Sequence, residues 1–367
     1  MSAGMEIQVV AAIVAAACAL PGVFLVLRRM AMMSDAISHS VLLGIVLGFF
    51  AARQTSHPLV IAAAALSGVA TVWLVEAVLN TQRVREDAAI GLVFPALFSI
   101  GVLLISRLAR NVHLDTDAVL LGELAFAPLN RLTLFGVDLP RSVWVMGGIL
   151  LINLAAILIF YKELKLATFD PALAAALGFS PALIHYGLMT LVSVTAVGAF
   201  DHVGSILVVA LMIAPPATAY LLTDQLGVML MLSAGLGAGS AVGGYWLARL
   251  LDANIAGAMA TATGIAFLLA LVFAPQRGLI AWRVEHVQRQ QRFAVEMLLV
   301  HLSCHEGIAG EADENRLDHL VKALRWEAAD AEGVVRRAVE QGLVERQNGL
   351  LRLTTKGRRV AETVLSR

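Results

Sequence analysis

Asp35 and His39 lie four residues apart within the stretch LPGVFLVLRRMAMMSDAISHSVLLGIVLGFF (20–50). On a helix that spacing stacks the two side chains on one face. A carboxylate oxygen and an imidazole nitrogen so placed can share one divalent transition metal ion. Keeping a charge inside an apolar membrane helix costs about 3 kcal/mol, so the pair calls for a reason. Spacing alone leaves a second reading open. His39 could instead hydrogen-bond Asp35, or a neighbouring backbone carbonyl, as a structural pair within a bundle.

Other polar residues carry weaker signals. Asp201-His202 follows an apolar stretch and reads either as an accessory ligand pair near a membrane surface or as a solvated turn. His113, Asp115 and Asp117 alternate along a loop, where they could attract a cation or simply face water. His57-Pro58 marks a helix boundary, and Glu76 and Asp224 lie near helix ends, where charges reach water. Met33, Met189 and Met212 read as packing residues, because no Met or Cys cluster accompanies them. The two cysteines, Cys18 and Cys304, fall in different parts of the chain and form no disulfide framework or thiolate cage.

The elements that must hold these residues are set by composition. The chain has 367 residues, 59% of them hydrophobic and only 15% charged, with a mean hydropathy of +0.80. That excludes an ordinary soluble enzyme. Equal numbers of basic and acidic residues, 27 each, give no global field for nucleic acid. The average hides a split: residues 1–275 hold 12 Lys/Arg and 14 Asp/Glu, whereas the last 92 hold 15 and 13.

Apolar stretches near the length of a bilayer span occur at 8–27, 36–52, 58–79, 88–106, 142–161, 181–200, 203–223, 226–248 and 255–273. About nine transmembrane helices are therefore expected, with a break or kink at Pro215-Pro216. The N-terminus, with Glu6 and no basic flank, reads as a retained helix rather than a signal peptide. Basic residues divide evenly between the two sets of loops, so charge does not orient the bundle.

Residues 276–287 read as a linker and 288–367 as a small soluble domain. Helical patterns cover 288–303, 314–325 and 330–341, the last ending at Gly342. Asn348-Gly349 between two short alternating runs signals a hairpin. Thr354 or Thr355 then caps a final helix to about residue 365. That order is the order of a winged helix-turn-helix.

Several motifs together resemble the permease subunits of the manganese/zinc/iron ABC importers. They are G-x-F-L-V-L-R-R-M-A-x-M-x-D-A-I-S-H-S (22–40), E-D-A-A-I-G-L-V-F (86–94), H-L-D-T-D-A-V-L-L-G-E-L (113–124), F-D-P-x-x-A-x-x-L-G (169–178) and V-G-x-x-L-V-V-A-L-x-I-x-P-P-A-T-A-Y-L-L-T (203–223). The resemblance implies a helical fold like that of type II ABC importers, and metal coordination by Asp35 and His39. It makes the cargo a divalent ion, manganese first, with zinc or iron as alternatives, and it implies no permanently bound cofactor.

The resemblance also assigns 162–181 to docking an ATPase subunit, through Glu163, Lys165, Phe169, Asp170, Pro171 and Gly178. Asp170-Pro171 suits a helix start and Gly178 its end. No G-x-x-x-x-G-K-S/T run is present, so ATP hydrolysis falls to the partner. The implied partners are that ATPase, an extracytoplasmic metal-binding protein, a second permease subunit (identical or paralogous) and lipid. The implied location is a bacterial cytoplasmic membrane, with the tail in the cytoplasm.

The tail resembles the winged-helix domain of iron-dependent repressors, mainly through G-L-V-E-R-x-x-G-L-L-R-L-T-x-x-G (342–357). Arg336, Arg337, Arg346, Arg352, Lys356, Arg358 and Arg359 could meet phosphates, but the tail is almost neutral overall. A regulatory or docking role is therefore expected ahead of DNA binding. Two rival readings remain distinct in kind. One is a transporter driven by an ion gradient with Asp35 as a proton site, and the other is a membrane-tethered DNA-binding regulator.

Overall fold

The computed structural model describes residues 2–52, 58–108, 124–134, 136–306, 315–324, 326–347 and 349–366. The chain divides into two compact units, Met1–Gly278 and Leu279–Arg367.

The first unit is helical. Its elements are α1 (Ala3–Leu27), α2 (Ala31–Ala52), α3 (Pro58–Leu79), α4 (Glu86–Leu108), a 3-10 turn (Leu124–Leu129), a hairpin of β1 (Arg131–Leu134) and β2 (Val137–Pro140), and α5 (Arg141–Ile159). Then come two short helices, α6 (Tyr161–Phe169) and α7 (Pro171–Ala176), followed by α8 (Pro181–Leu222), α9 (Leu226–Leu251) and α10 (Ile255–Phe273). Eight of these among the described residues are long and apolar enough to cross a bilayer: α1 to α5 and α8 to α10. Their outward faces are apolar too, with Leu66, Leu103, Leu151 and Leu250 exposed. Leucines on the outside of a bundle belong in lipid.

Helix α1 lies at the centre, buried along most of its length, against α5, α8 and α9. Small residues let neighbours close in. A Cβ on Gly44 or Gly48 of α2 would collide with the α3 backbone at Ala64 or Val60. Hydroxyls pin the same contact: Ser67 donates to the Ser40 carbonyl at 3.2 Å, and the Thr71 and Ser40 hydroxyls meet at 2.7 Å. Asn153 of α5, almost fully buried, donates to the Ala17 carbonyl at 3.0 Å and to Thr195 Oγ1 at 2.8 Å.

The sixth and seventh apolar stretches form one element, α8, of 42 residues. At 1.5 Å per residue a straight helix of that length would reach about 63 Å, twice a bilayer core. It is not straight, because Gly204 is non-helical with φ 75° and ψ 166°, a conformation open to glycine. Thr195 sits level with Ala17 of α1, yet Met212 and Pro216 lie against Gly22. A helix running straight on past Thr195 would carry Met212 away from that level. The chain therefore turns back at Gly204, and each limb is about as long as one span.

The expected break at Pro215-Pro216 is not where the bend falls. The helix continues through both prolines. Pro216 has no N–H for the Met212 carbonyl, and that oxygen points at Gly22, where a Cβ would strike it. A side-chain-free patch of α1 thus accommodates the defect in α8.

At the end of the bundle where α1 begins, Arg131 of β1 clamps buried Glu6. Its Nη1 donates at 3.1 and 3.3 Å to the two carboxylate oxygens, and its Nε donates to Asp138 of β2 at 2.8 Å. These acids hold the Arg131 guanidinium above its ordinary pKa.

In the second unit, α11 (Leu279–His305) is one continuous helix, so most of the stretch expected as linker is helical. It is followed by α12 (Leu317–Ala323), α13 (Ala328–Glu340), β3 (Val344–Gln347), β4 (Leu350–Leu353) and α14 (Thr355–Leu365). The strands pair antiparallel from Val344↔Leu353 to Gln347↔Leu350, leaving a two-residue connection that includes Gly349 at φ 79°; Asn348 lies outside the described residues. Thr354 caps α14, accepting from the Gly357 amide at 3.0 Å. Its core is Leu298, Leu299, Leu302, Leu320, Val335, Ala338, Val344, Leu351 and neighbours.

Candidate functional site

Asp35 and His39 stand on one face of α2, with His39 Nε2 3.3 Å from Asp35 Oδ1. Their side chains are 30% and 33% exposed, so neither is sealed inside the bundle of this chain. The His39 ring rests on two α4 aromatics, stacked on Phe94 at 5.7 Å and edge-on to Phe98 at 6.1 Å. This contact restricts the imidazole to a few orientations. Ser34 and Ser38 turn inward from the same helix and are buried. Among the described residues no group of three His, Cys, Asp or Glu side chains forms a complete ligand set. The pair therefore offers one oxygen and one nitrogen donor.

A second polar cluster was not foreseen. Glu76 was expected at a water-exposed helix end. Instead it sits near the end of α3 with Oε1 2.6 Å from His185 Nε2 of α8, and it accepts the Tyr186 hydroxyl. Arg28, just after α1, reaches His185 Nδ1 at 3.3 Å and donates from Nε to Thr168 Oγ1 of α6 at 3.1 Å. Burial pulls the Arg28 guanidinium below its ordinary pKa. The sequence held only one signal for this cluster, the two arginines preceding the Asp/His helix.

The stretch expected to dock an ATPase is two short helices broken at Asp170. Asp170 Oδ1 accepts the Leu173 amide at 2.9 Å, the cap expected of an Asp-Pro start. Gly178 ends the turn at φ 88°, with its amide bonded to the Ala175 carbonyl at 3.0 Å. Phe169, Leu173, Leu177 and Phe179 project as an exposed apolar surface. Glu163 is half-buried and Lys165 exposed on α6.

The remaining candidates are placed as follows. Asp201 is exposed and His202 half-buried, both within helix α8 and three or fewer residues from its bend at Gly204. His57, His113, Asp115 and Asp117 lie outside the described residues. Met33, Met189 and Met212 are fully buried packing residues. Asp224 pairs with Arg277, whose guanidinium also lies 4.2 Å from the Tyr220 ring centre.

The ABC 3 transport family matches residues 5–274, nearly the whole first unit. The chain belongs to the ABC 3 transport family. Members of this family are multi-pass membrane permeases of ABC transporters, whose ATPase is a separate subunit. The chain is 49% identical over 361 residues to the zinc transport system membrane protein TroD of Treponema pallidum, covering 98% of each. It is 47% identical to the manganese transport system membrane protein MntD of Bacillus subtilis, covering 77% of this chain and 96% of that one. Among solved structures, PsaBC from Streptococcus pneumoniae in complex with Fab matches with a TM-score of 0.64 and 27% identity, over 76% of this chain and 94% of that one. An alignment of 361 residues must include most of the second unit, so that unit too has a counterpart in the TroD relative.

Proposed function

We propose that this ABC 3 permease conducts divalent transition-metal ions inward, manganese first, with Asp35 and His39 as the transient binding pair. The observation that carries the reading is the pair itself: a carboxylate and an imidazole on one face, partly exposed, in a helix with no other charged or titratable side chain. One oxygen and one nitrogen suit Mn2+, Fe2+ and Zn2+ alike. The relatives named for zinc and manganese agree with that class. Water, or the second permease of a dimer, completes the coordination, and so few protein donors allow the ion to leave again. An extracytoplasmic metal-binding protein delivers the ion, and the ATPase acts on 161–178. The test is ATP-dependent uptake by the reconstituted complex with Mn2+, Zn2+ and Fe2+ in competition. Mn2+ is expected to be carried best, and uptake without ATP would sink the reading.

The coupling role rests on the exposed Phe169, Leu173 and Leu177 surface beside a capped helix start. Asp170→Lys removes the cap, which is worth about 1 kcal/mol, and puts a cation at the positive helix end. Co-purification of the ATPase subunit should fall severalfold. Normal recovery with normal transport-linked ATP hydrolysis would place the docking contact elsewhere.

The second unit is assigned as a winged-helix module resembling those of iron-dependent repressors, on its order of helix, helix, helix, hairpin, helix. A docking role is favoured over DNA binding, because two of its basic residues are already engaged by acids. Arg346 Nη1 lies 2.7 Å from Glu332, and Arg358 pairs with Glu306. Truncation after Gly278, at the boundary between the units, should leave an inserted, assembled permease with altered transport level. Tight sequence-specific DNA binding by the 279–367 fragment at physiological salt would instead favour a tethered regulator.

A further inference from the structure

The Arg28 cluster joins four elements at one end of the bundle. Arg28 follows α1, Glu76 closes α3, His185 opens α8, and Thr168 is the next-to-last residue of α6. Only residues 28–30 separate α1 from α2, and this connection is tightly wound. Arg29 is left-handed at φ 62°, and the Met30 amide bonds the Leu25 carbonyl at 2.9 Å. Such a short link has little slack, so a displacement of Arg28 is passed on to α2. Asp35 lies seven residues beyond Arg28.

The cluster is only partly satisfied. Arg28 Nη2 is buried and finds no hydrogen-bond partner among the described residues, although its Nε and Nη1 are engaged. A buried unpaired donor on a charged group is unfavourable. The cluster's two links differ in kind: the Arg28–Thr168 bond is a single hydrogen bond to a hydroxyl, whereas Glu76 lies with Oε1 2.6 Å from His185 Nε2 and also accepts the Tyr186 hydroxyl. The Thr168 bond is the one that ties Arg28 to α6.

We propose that Arg28, seated on the Glu76–His185 pair and bonded to Thr168, is the positioning residue that transmits movement of the coupling segment to the helix carrying Asp35 and His39. None of the four touches the ion; they act through α2. This inference rests on reading 161–178 as the ATPase contact and Asp35/His39 as the ion site.

The experiment uses the full complex in proteoliposomes, with Arg28→Ala, Arg28→Lys, Thr168→Val and Glu76→Gln. Three quantities are read for each: ATPase recovered with the permease, equilibrium binding of Mn2+, and ions transported per ATP hydrolysed. Arg28→Ala should lower transport per ATP at least tenfold while ATPase recovery and Mn2+ binding stay within twofold. Thr168→Val, nearly isosteric and therefore mild for folding, should show the same split to a smaller degree. Arg28→Lys should restore part of the yield, because it keeps a donor at the site, and Arg28→Ala combined with Thr168→Val should be no worse than Arg28→Ala alone. Unchanged transport per ATP in both Arg28→Ala and Thr168→Val would overturn the proposal, as would a loss explained entirely by lower assembled yield. Failure of the underlying reading has a different signature: Asp35→Ala would keep Mn2+ binding, or Asp170→Lys would keep ATPase recovery.

Discussion

Asp35→Ala and His39→Ala should each reduce metal uptake to background while leaving the permease assembled with its ATPase. Each change removes one of two protein donors, and neither residue belongs to the buried core. Loss of an outer-shell partner alone typically lowers metal affinity by about 10–100-fold, so losing a direct donor should cost at least that. Asp35→Asn and His39→Gln are informative companions. They keep side chains of similar size and hydrogen-bonding ability, yet the anionic oxygen or the imidazole nitrogen is gone. If the pair were only structural, these two variants would transport like the parent. Uptake normalised to assembled complex is the measurement, and parental rates in all four variants would remove the pair from the ion path.

Gly22→Val should destabilise the membrane unit strongly, although glycine to valine in an apolar helix looks harmless. The new Cβ would meet the Met212 carbonyl, with Pro216 Cγ 3.1 Å away. Neither the proline ring nor the carbonyl can rotate aside, so α1 and α8 must separate. Overpacking of this kind costs about 1–3 kcal/mol, occasionally more, and here it acts on the central helix. Thermal unfolding of the solubilised protein should shift down by several degrees, with less assembled complex recovered. Gly239→Ala is the control, since a Cβ there has no neighbour within 4 Å. Equal unfolding temperatures for the Gly22 variant and the parent would mean that α1 and α8 are not packed this closely.

Both predictions bear on what determines the fold. Membrane spans were legible because a bilayer imposes a minimum apolar length on any crossing helix, and such lengths show in sequence. The Asp35/His39 spacing was legible because four residues is a helical repeat, and the cap at Asp170 because an Asp-Pro start satisfies local amides. The Gly342 stop, the hairpin from Val344 to Leu353 and the Thr354 cap are likewise local features. All depend on residues within a few positions of one another.

What the sequence alone did not decide involves partners far apart in the chain. It placed a boundary between the spans 181–200 and 203–223, beside the observed bend at Gly204. But it also pointed to a break at Pro215-Pro216, where the helix instead runs on because Gly22 leaves room for the uncapped Met212 carbonyl 190 positions away. Glu76 looked like a charge reaching water, but the fold delivers His185, Tyr186 and, through His185, Arg28 to it from two other helices. Amphipathic period and capping chemistry are written in neighbouring residues, so sequence determines them. Which helix faces which is set by close packing of small residues and pairing of buried charges, and these energies exist only once the chain has folded.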